Sequence, residues 1–314
     1  MRVLITGGYG YLGARIAQHM ASLGHDVALG TARSNLVLPE CLASFTSIIL
    51  NWTDSNALTL ACQNKDIVIH AAGMNAQSCA ANPVAALEFN GVATARLAQA
   101  AAQARVRRFI YLSTAHVYCA PLSGTITEDT CPSNLHAYAT SHLAGENAVL
   151  SAARAGEISG IVLRLSNVLG APAYAGVNAW MLLMNDLCKQ AVLEKRITLS
   201  GNGRSIRDFV PFGTVLRLIG NMIGKNASFG SVINVGAGRS HSVYEMAKLV
   251  QESSRDVLGF EPEIRINDQD KTAAPSPLHY LSKYTELRHS NDTDDELRYE
   301  IDELLRSCKS WFAR

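Results

Sequence analysis

Gly8, Gly10 and Gly13 have the spacing G-x-G-x-x-G within Thr6-Gly7-Gly8-Tyr9-Gly10-Tyr11-Leu12-Gly13. The apolar run Val3-Leu4-Ile5 precedes them. Ala14-Arg15-Ile16-Ala17-Gln18-His19-Met20 follows, with apolar positions at helical spacing. Strand, glycine turn and helix form the context in which this spacing carries meaning. Glycines let the backbone turn tightly and approach a pyrophosphate. The helix N-terminus adds free N–H groups and the positive end of a dipole. The chemistry implied is dinucleotide binding, with Gly7, Gly8, Tyr9, Gly10, Tyr11, Leu12 and Gly13 as the contact segment.

Such a turn works only when a sheet holds it. Strand and helix signals alternate through the first half of the chain. Val27-Ala28-Leu29 reads as a second strand, and Ser47-Ile48-Ile49-Leu50 as a third, closed by the polar Asn51-Trp52-Thr53-Asp54. Asp66 to Ala72 is a fourth, apolar enough for burial on both faces. Pro83 opens a long alanine-rich helix over Val84 to Ala104. Arg108 to Leu112 is a fifth strand, a helix covers Tyr138 to Ala153, and Ser159 to Leu165 is a further strand. This alternation predicts an α/β, Rossmann-type doubly wound parallel sheet covered by helices. In the less regular second half, helices are predicted over Ala179 to Ala191, Gly213 to Ile223 and Val243 to Val257. Short strands are predicted at Ile197 to Leu199 and Phe209-Val210. From Pro275 the chain is polar, and the acidic run Asn291 to Glu296 reads as a solvated terminal helix and loop. The expected division is a dinucleotide-binding domain over residues 1–170 and a small C-terminal substrate-binding lobe over 171–314, partly interwoven with it.

Of 314 residues, 48% are hydrophobic and 18% charged, enough for a large core. A formal net charge of +1 gives no electrostatic case for nucleic acid or an anionic membrane. No apolar stretch is long enough to span a bilayer, and the N-terminus lacks signal-peptide flanks. The seven cysteines are scattered, odd in number and without a C-x-x-C pair. That usage points to reduced thiols in a cytoplasm and away from a metal site. His70 and His116 read as packing or turn residues, because metal ligands must converge.

Further features fall into an ordered series. Asp54 follows the third strand, His70-Ala71-Ala72-Gly73 ends the fourth, and Asn90 lies in the long helix. Leu112-Ser113-Thr114-Ala115-His116-Val117-Tyr118, Tyr138, and Arg164-Leu165-Ser166-Asn167-Val168-Leu169-Gly170 come next. Gly201-Asn202-Gly203 and Arg207-Asp208-Phe209-Val210 complete the series. With this order the chain resembles the extended short-chain dehydrogenase/reductase family, in its NAD(P)-dependent nucleotide-sugar epimerase and dehydratase group. The resemblance covers nearly the whole length.

The resemblance implies catalytic roles for Thr114, Tyr138 and His142. Thr114, with Ser113 as the other candidate, would orient the substrate oxygen. Tyr138 would exchange a proton with it. Cofactor contacts are implied for Asp54, Ala71, Ala72, Gly73, Asn90, Tyr138 and His142, beside the glycine loop. Asn167 and Arg207 match positions that approach the sugar diphosphate and nucleotide, and Arg207 suits a phosphate fork. Pro211-Phe212-Gly213-Thr214 replaces a segment rich in His and Asp in the family. Tyr138-Ala139-Thr140-Ser141-His142 places histidine where the family has lysine, still on the same helix face. That lysine bonds the nicotinamide ribose and its charge lowers the tyrosine pKa. A histidine can bond the ribose but is mostly uncharged at neutral pH. Leu29-Gly30-Thr31-Ala32-Arg33 lacks the acid that binds an unphosphorylated adenosine ribose. Thr31 and Arg33 therefore point to NADP rather than NAD.

The implied activity is NADP-dependent redox chemistry on a nucleotide-activated sugar, with 4-ketosugar reduction favoured. Reduction needs a neutral tyrosine acid, whereas oxidation needs a tyrosinate that His142 supports poorly. The alternatives are a nucleotide-sugar 4-epimerase, a non-sugar carbonyl reductase, and a weakly active or inactive cofactor-binding sensor or assembly protein. The family also implies a homodimer paired through two helices.

Overall fold

Val3, Leu4 and Ile5 have no exposed surface in the computed structural model. They form β1 (Arg2–Thr6), an interior strand of a seven-stranded sheet. The structure describes residues 1–34, 37–224, 232–266, 276–284 and 293–313. The chain divides into two compact units. The first holds Met1–Ala120, Cys131–Leu165 and Ile219–Ile233, and the second Pro121–Thr130, Ser166–Leu218 and Asn234–Arg314.

In the first unit β1 leads through α1 (Tyr11–Ser22) to β2 (Asp26–Thr31) and β3 (Thr46–Ile49). Then come α2 (Ser55–Cys62), β4 (Ile67–His70), α3 (Ala76–Ala81), α4 (Pro83–Ala86), α5 (Thr94–Gln103) and β5 (Arg108–Thr114). After β6 (Gly124–Ile126), which belongs to the second unit, follow α6 (Ala137–Arg154) and β7 (Ser159–Leu165). Strand order is β11-β7-β5-β4-β1-β2-β3, where β11 (Val232–Val235) joins the edge beside β7. The pairs β1–β2, β1–β4, β2–β3, β4–β5 and β5–β7 are all parallel. The order reverses at β1, so the carboxyl ends of β1 and β4 flank a switch point, where open sheets bind ligands.

The predicted helix over 84–104 is interrupted. Asn82 caps α4 with Pro83 at its first turn, but Leu87–Ala93 winds as a π-helix before α5 resumes. That wider turn holds Asn90 and lies against α6. A Cβ on Gly145 of α6 would fall 2.8 Å from the Tyr111 hydroxyl and press on the Asn90 carbonyl. Glycine there permits the close approach.

The second unit also contains β8 (Asn167–Leu169), α7 (Leu183–Glu194), β9 (Arg196–Leu199), β10 (Ile206–Pro211) and α8 (Phe212–Gly224), whose end crosses into the first unit. Beyond β11 lie β12 (Ser240–Ser242), α9 (Val243–Leu258), β13 (Glu263–Ile266), β14 (Leu278–Tyr280) and α10 (Thr293–Phe312). β10 lies between β8 and β12, while β9 pairs with β13 and β6 with β14. Leu187, Met246, Val250, Ile301 and Leu304 bind α7, α9 and α10 into its core. The helix predicted from Ala179 begins only at Leu183, because Leu182 is extended at φ −70°, ψ 136°. Pro275, Asn291 and Asp292 lie outside the described residues. The rest of the acidic run is not simply solvated. Asp294, Asp295 and Glu296 occupy the first turn of α10, where the dipole favours carboxylates. Glu296 accepts from Thr214 Oγ1 at 2.9 Å and pairs with Arg217 at 2.6 Å. Among the described residues no helix is long and apolar enough to cross a membrane.

Candidate active site

The glycine turn is cramped on one side and open on the other. Gly7 has φ +65°, and a Cβ there would lie 2.8 Å from the Ala72 backbone. A Cβ on Gly13 would strike the Gly7 carbonyl, so α1 can approach β1 only without one. Gly10 N donates to Gly7 O at 2.8 Å, and Gly10 begins α1 with no side-chain cap. First-turn N–H groups lack intrahelical acceptors. A backbone cradle at a switch point, with an uncapped helix end, fits the pyrophosphate of a dinucleotide.

Thr31 ends β2, and its Oγ1 accepts from Arg33 N at 3.1 Å, while the Arg33 side chain is exposed. Asp54 caps α2, accepting from Asn56 N at 2.9 Å and Ala57 N at 3.0 Å. Ala71 N donates to Thr6 O at 3.2 Å, holding the end of β4 beside β1. Asn90 fixes the next residues, since its Oδ1 accepts from Met74 N at 2.8 Å. Its Nδ2 donates to Ser141 Oγ at 3.0 Å and to the buried Cys79 Sγ at 3.6 Å.

Thr114, Tyr138 and His142 come together at the carboxyl end of β5 and the start of α6. The Thr114 hydroxyl lies close enough to the Tyr138 phenol to favour its ionised form. Burial raises the Tyr138 pKa, Thr114 opposes that rise, and nearby Cys79 adds to it. The His142 ring meets the Tyr138 ring edge-on, with centroids 4.5 Å apart. Burial pulls the His142 pKa down to about 4, so it is neutral at neutral pH. Its Nδ1 lies 3.0 Å from the Tyr111 hydroxyl. Its other edge faces Gly73, where a Cβ would be 3.7 Å from Nε2.

Ser113, the other candidate beside Thr114, turns elsewhere. Its hydroxyl donates at 2.5 Å to Glu146, which Arg164 grips through Nε and Nη2 at 2.7–3.1 Å. The Glu146 side chain is fully buried and that of Arg164 is 6% exposed. In the second unit Asn167 Nδ2 donates to the Asp208 carbonyl at 2.9 Å. Arg207, half-buried on β10, has its pKa lowered by burial. Burial raises Asp208 to about 6, against hydrogen bonds from Ser166, Ala237 and Gly238.

Sequence reasoning missed the groups behind the trio. Tyr111 passed as a strand residue, and Thr6 and Thr94 carried no signal. Glu146 had one: Tyr138, His142 and Glu146 recur every four residues along one face of α6. His70 is more than a packing residue, for both its ring nitrogens are bonded, to Thr6 Oγ1 at 2.6 Å and Thr94 Oγ1 at 2.9 Å.

Residues 3–236 match the NAD dependent epimerase/dehydratase family. The dTDP-6-deoxy-L-talose 4-dehydrogenase (NAD(P)(+)) of Kitasatospora kifunensis is 31% identical over 261 residues, covering 81% of this chain and 79% of that protein. An uncharacterized UDP-glucose epimerase of Bacillus subtilis is 25% identical over 306 residues, 92% of each chain. The fold is similar to that of the Thermotoga maritima UDP-glucose 4-epimerase with UDP-glucose. There the TM-score is 0.79 at 20% identity, over 99% of both chains. The Thermus thermophilus UDP-glucose 4-epimerase complexed with NAD gives a TM-score of 0.77 at 22% identity, over 97% of this chain and 99% of that one. A dinucleotide cradle at the sheet's switch point, a Thr–Tyr pair beside it and a family match across most of the chain agree. The chain belongs to the NAD dependent epimerase/dehydratase family, within the extended short-chain dehydrogenase/reductase group of NAD(P)-dependent nucleotide-sugar enzymes.

Proposed function

We propose that the protein is an NADP-dependent reductase of a nucleotide-activated 4-ketosugar. The observation that carries this reading is the buried, uncharged His142 beside a Tyr138 whose pKa is raised. The phenol keeps its proton at neutral pH, which suits an acid and not a base. The chemistry a bound nicotinamide would supply is transfer of one proton with two electrons, as a hydride, to the carbonyl carbon. Tyr138 protonates the carbonyl oxygen as it becomes an alcohol, and then recovers a proton from solvent. Thr114 holds the same oxygen in line. Asn167 and Arg207 are proposed contacts to the sugar diphosphate and nucleotide.

Thr31 and Arg33, with no carboxylate beside them, support NADP over NAD, because an acid there would repel the 2′-phosphate. The 4-dehydrogenase relative using NAD(P)(+) supports redox chemistry at C4. The UDP-glucose 4-epimerase relatives favour epimerisation as the second reading. Exposed Val84, Leu87 and Val92 on the helical run around the π segment support a homodimer.

The test is the pH–rate profile in both directions on one nucleotide 4-ketosugar and its alcohol, for the unmodified protein and His142→Lys. Reduction is expected to run well at neutral pH and oxidation only at raised pH. The lysine variant is expected to lower the pH at which oxidation begins. Fast neutral oxidation by the unmodified protein, with a profile like that of the variant, would remove the reductase reading in favour of the epimerase.

A further inference from the structure

A chain of hydrogen-bonding side chains runs behind the site. The Thr6 hydroxyl lies 2.6 Å from His70 Nδ1, and His70 Nε2 lies 2.9 Å from the Thr94 hydroxyl. Thr94 sits close enough to the Tyr111 hydroxyl to favour its ionised form, and that hydroxyl lies 3.0 Å from His142 Nδ1. All five belong to the first unit, and each is at least nine-tenths buried. The rings are stacked as well: His70 on Tyr111 with centroids 5.3 Å apart, and Tyr111 on His142 at 6.0 Å.

Five groups with one hydrogen each make four bonds, so a run that reverses midway strands the buried hydroxyl hydrogen of Thr94 or Tyr111, and two unbroken directions remain. In the first, Thr6 donates to His70 Nδ1, His70 Nε2–H to Thr94, Thr94 to Tyr111, and Tyr111 to His142 Nδ1. The donor left over is His142 Nε2–H, which faces Gly73 rather than the core. In the second, all bonds reverse. His142 then carries its proton on Nδ1, and the chain ends on a Thr6 hydroxyl hydrogen that must find another acceptor. Thr6 has no exposed surface, and His70 is its one side-chain partner among the described residues. A buried donor with no acceptor bears the full cost of its desolvation.

We propose that Tyr111 is a positioning residue that fixes the tautomer of His142, donating to Nδ1 so that Nε2–H faces Gly73 as a hydrogen-bond donor. The titratable groups around the ring agree. Burial, with the charge of Glu146, raises Tyr111 well above the ordinary phenol range, so it keeps the proton it donates. Burial holds His70 down at about 3, with His142 adding to the effect, so neither ring competes as a cation. The functional meaning rests on the reductase reading. There a neutral side chain replaces a lysine, and it can bond a ribose hydroxyl as a donor only in this one tautomer.

The test is long-range proton–nitrogen NMR of the histidine-labelled protein without cofactor or substrate, which distinguishes protonated from bare ring nitrogens. His142 and His70 are both expected in the Nε2–H form. In Tyr111→Phe, His142 is expected to populate both tautomers. Equal populations would weaken NADPH binding about twofold, since only half the molecules are competent. The unmodified protein alone can overturn the proposal, by carrying the His142 proton on Nδ1. An unchanged Nε2–H signal in Tyr111→Phe would also overturn it. Because the tautomer is read without turnover, a protein that reduces no ketosugar yet holds Nε2–H would lose the reductase reading and keep this assignment.

Discussion

On the proposed function, Tyr138 is where the chemistry narrows to one oxygen. Tyr138→Phe removes that oxygen and little else, since the ring can keep its edge contact with His142. Turnover is expected to fall by roughly 10²–10⁴, the usual worth of a positioned acid. Cofactor titration by fluorescence is expected to change little, and an unchanged rate would take Tyr138 out of the mechanism. Arg33 is proposed to act at binding instead. Arg33→Ala is expected to weaken NADPH by about 1–3 kcal/mol, the value of a charge-assisted bond, and NADH hardly at all. Tighter NADH than NADPH binding in the unmodified protein would contradict the NADP assignment. Thr114, Tyr138 and His142 were legible only through the family resemblance, with spacing adding that Tyr138 and His142 share a helix face. Tyr111 and Thr94 were not. Their importance comes from register across β4, β5 and the neighbouring helices, and periodicity does not report which residues meet there.

At the scale of elements, α6 does most of the positioning. It carries Tyr138 and His142, which the proposed function uses, and Gly145 and Glu146, which hold the helix in place. Gly145 lets α6 approach the π segment closely enough for Asn90 to reach both Met74 N and Ser141. Gly145→Ala must push the two apart, at a cost of about 1–3 kcal/mol. Urea denaturation checks that figure. NADPH affinity is expected to fall with it, because Asn90 loses its grip on residues 73–74. Glu146 anchors the same helix to β7 through Arg164. Glu146→Ala would take the carboxylate partner from a buried guanidinium, and breaking such a pair costs about 3–5 kcal/mol. The sheet and main helices could be read from apolar runs and Gly or Pro punctuation. The π segment was not read, although Asn90-Gly91 within Leu87 to Ala93 is a pairing that disfavours a regular helix. The short strands β6, β8, β12 and β14 were missed because three residues give no period to detect.

At the scale of the whole molecule, the buried titratable groups set the response to acid. His142 takes a proton in the fold only near pH 4 and His70 near pH 3, against an ordinary 6.5. Their contribution is complete above 6.5 and is lost as pH falls through 4 and then 3. Asp208 works the other way, its pKa raised from 3.8 to about 6. Its contribution is complete below 3.8 and is lost as pH rises through 6. Two depressed histidines outweigh one raised carboxyl. Unfolding midpoints are therefore expected to drop as pH falls from 6.5 towards 4, and less steeply in His142→Gln. A flat profile over that range would contradict the burial assigned to the two rings. The Thr6–His70–Thr94–Tyr111 chain also has a consequence in time. Its hydroxyl and ring hydrogens lie where water does not reach, so in heavy water they can be replaced only when the first unit opens. They would persist as resolved proton signals whose slow decay counts those openings, a built-in clock for the breathing of the core.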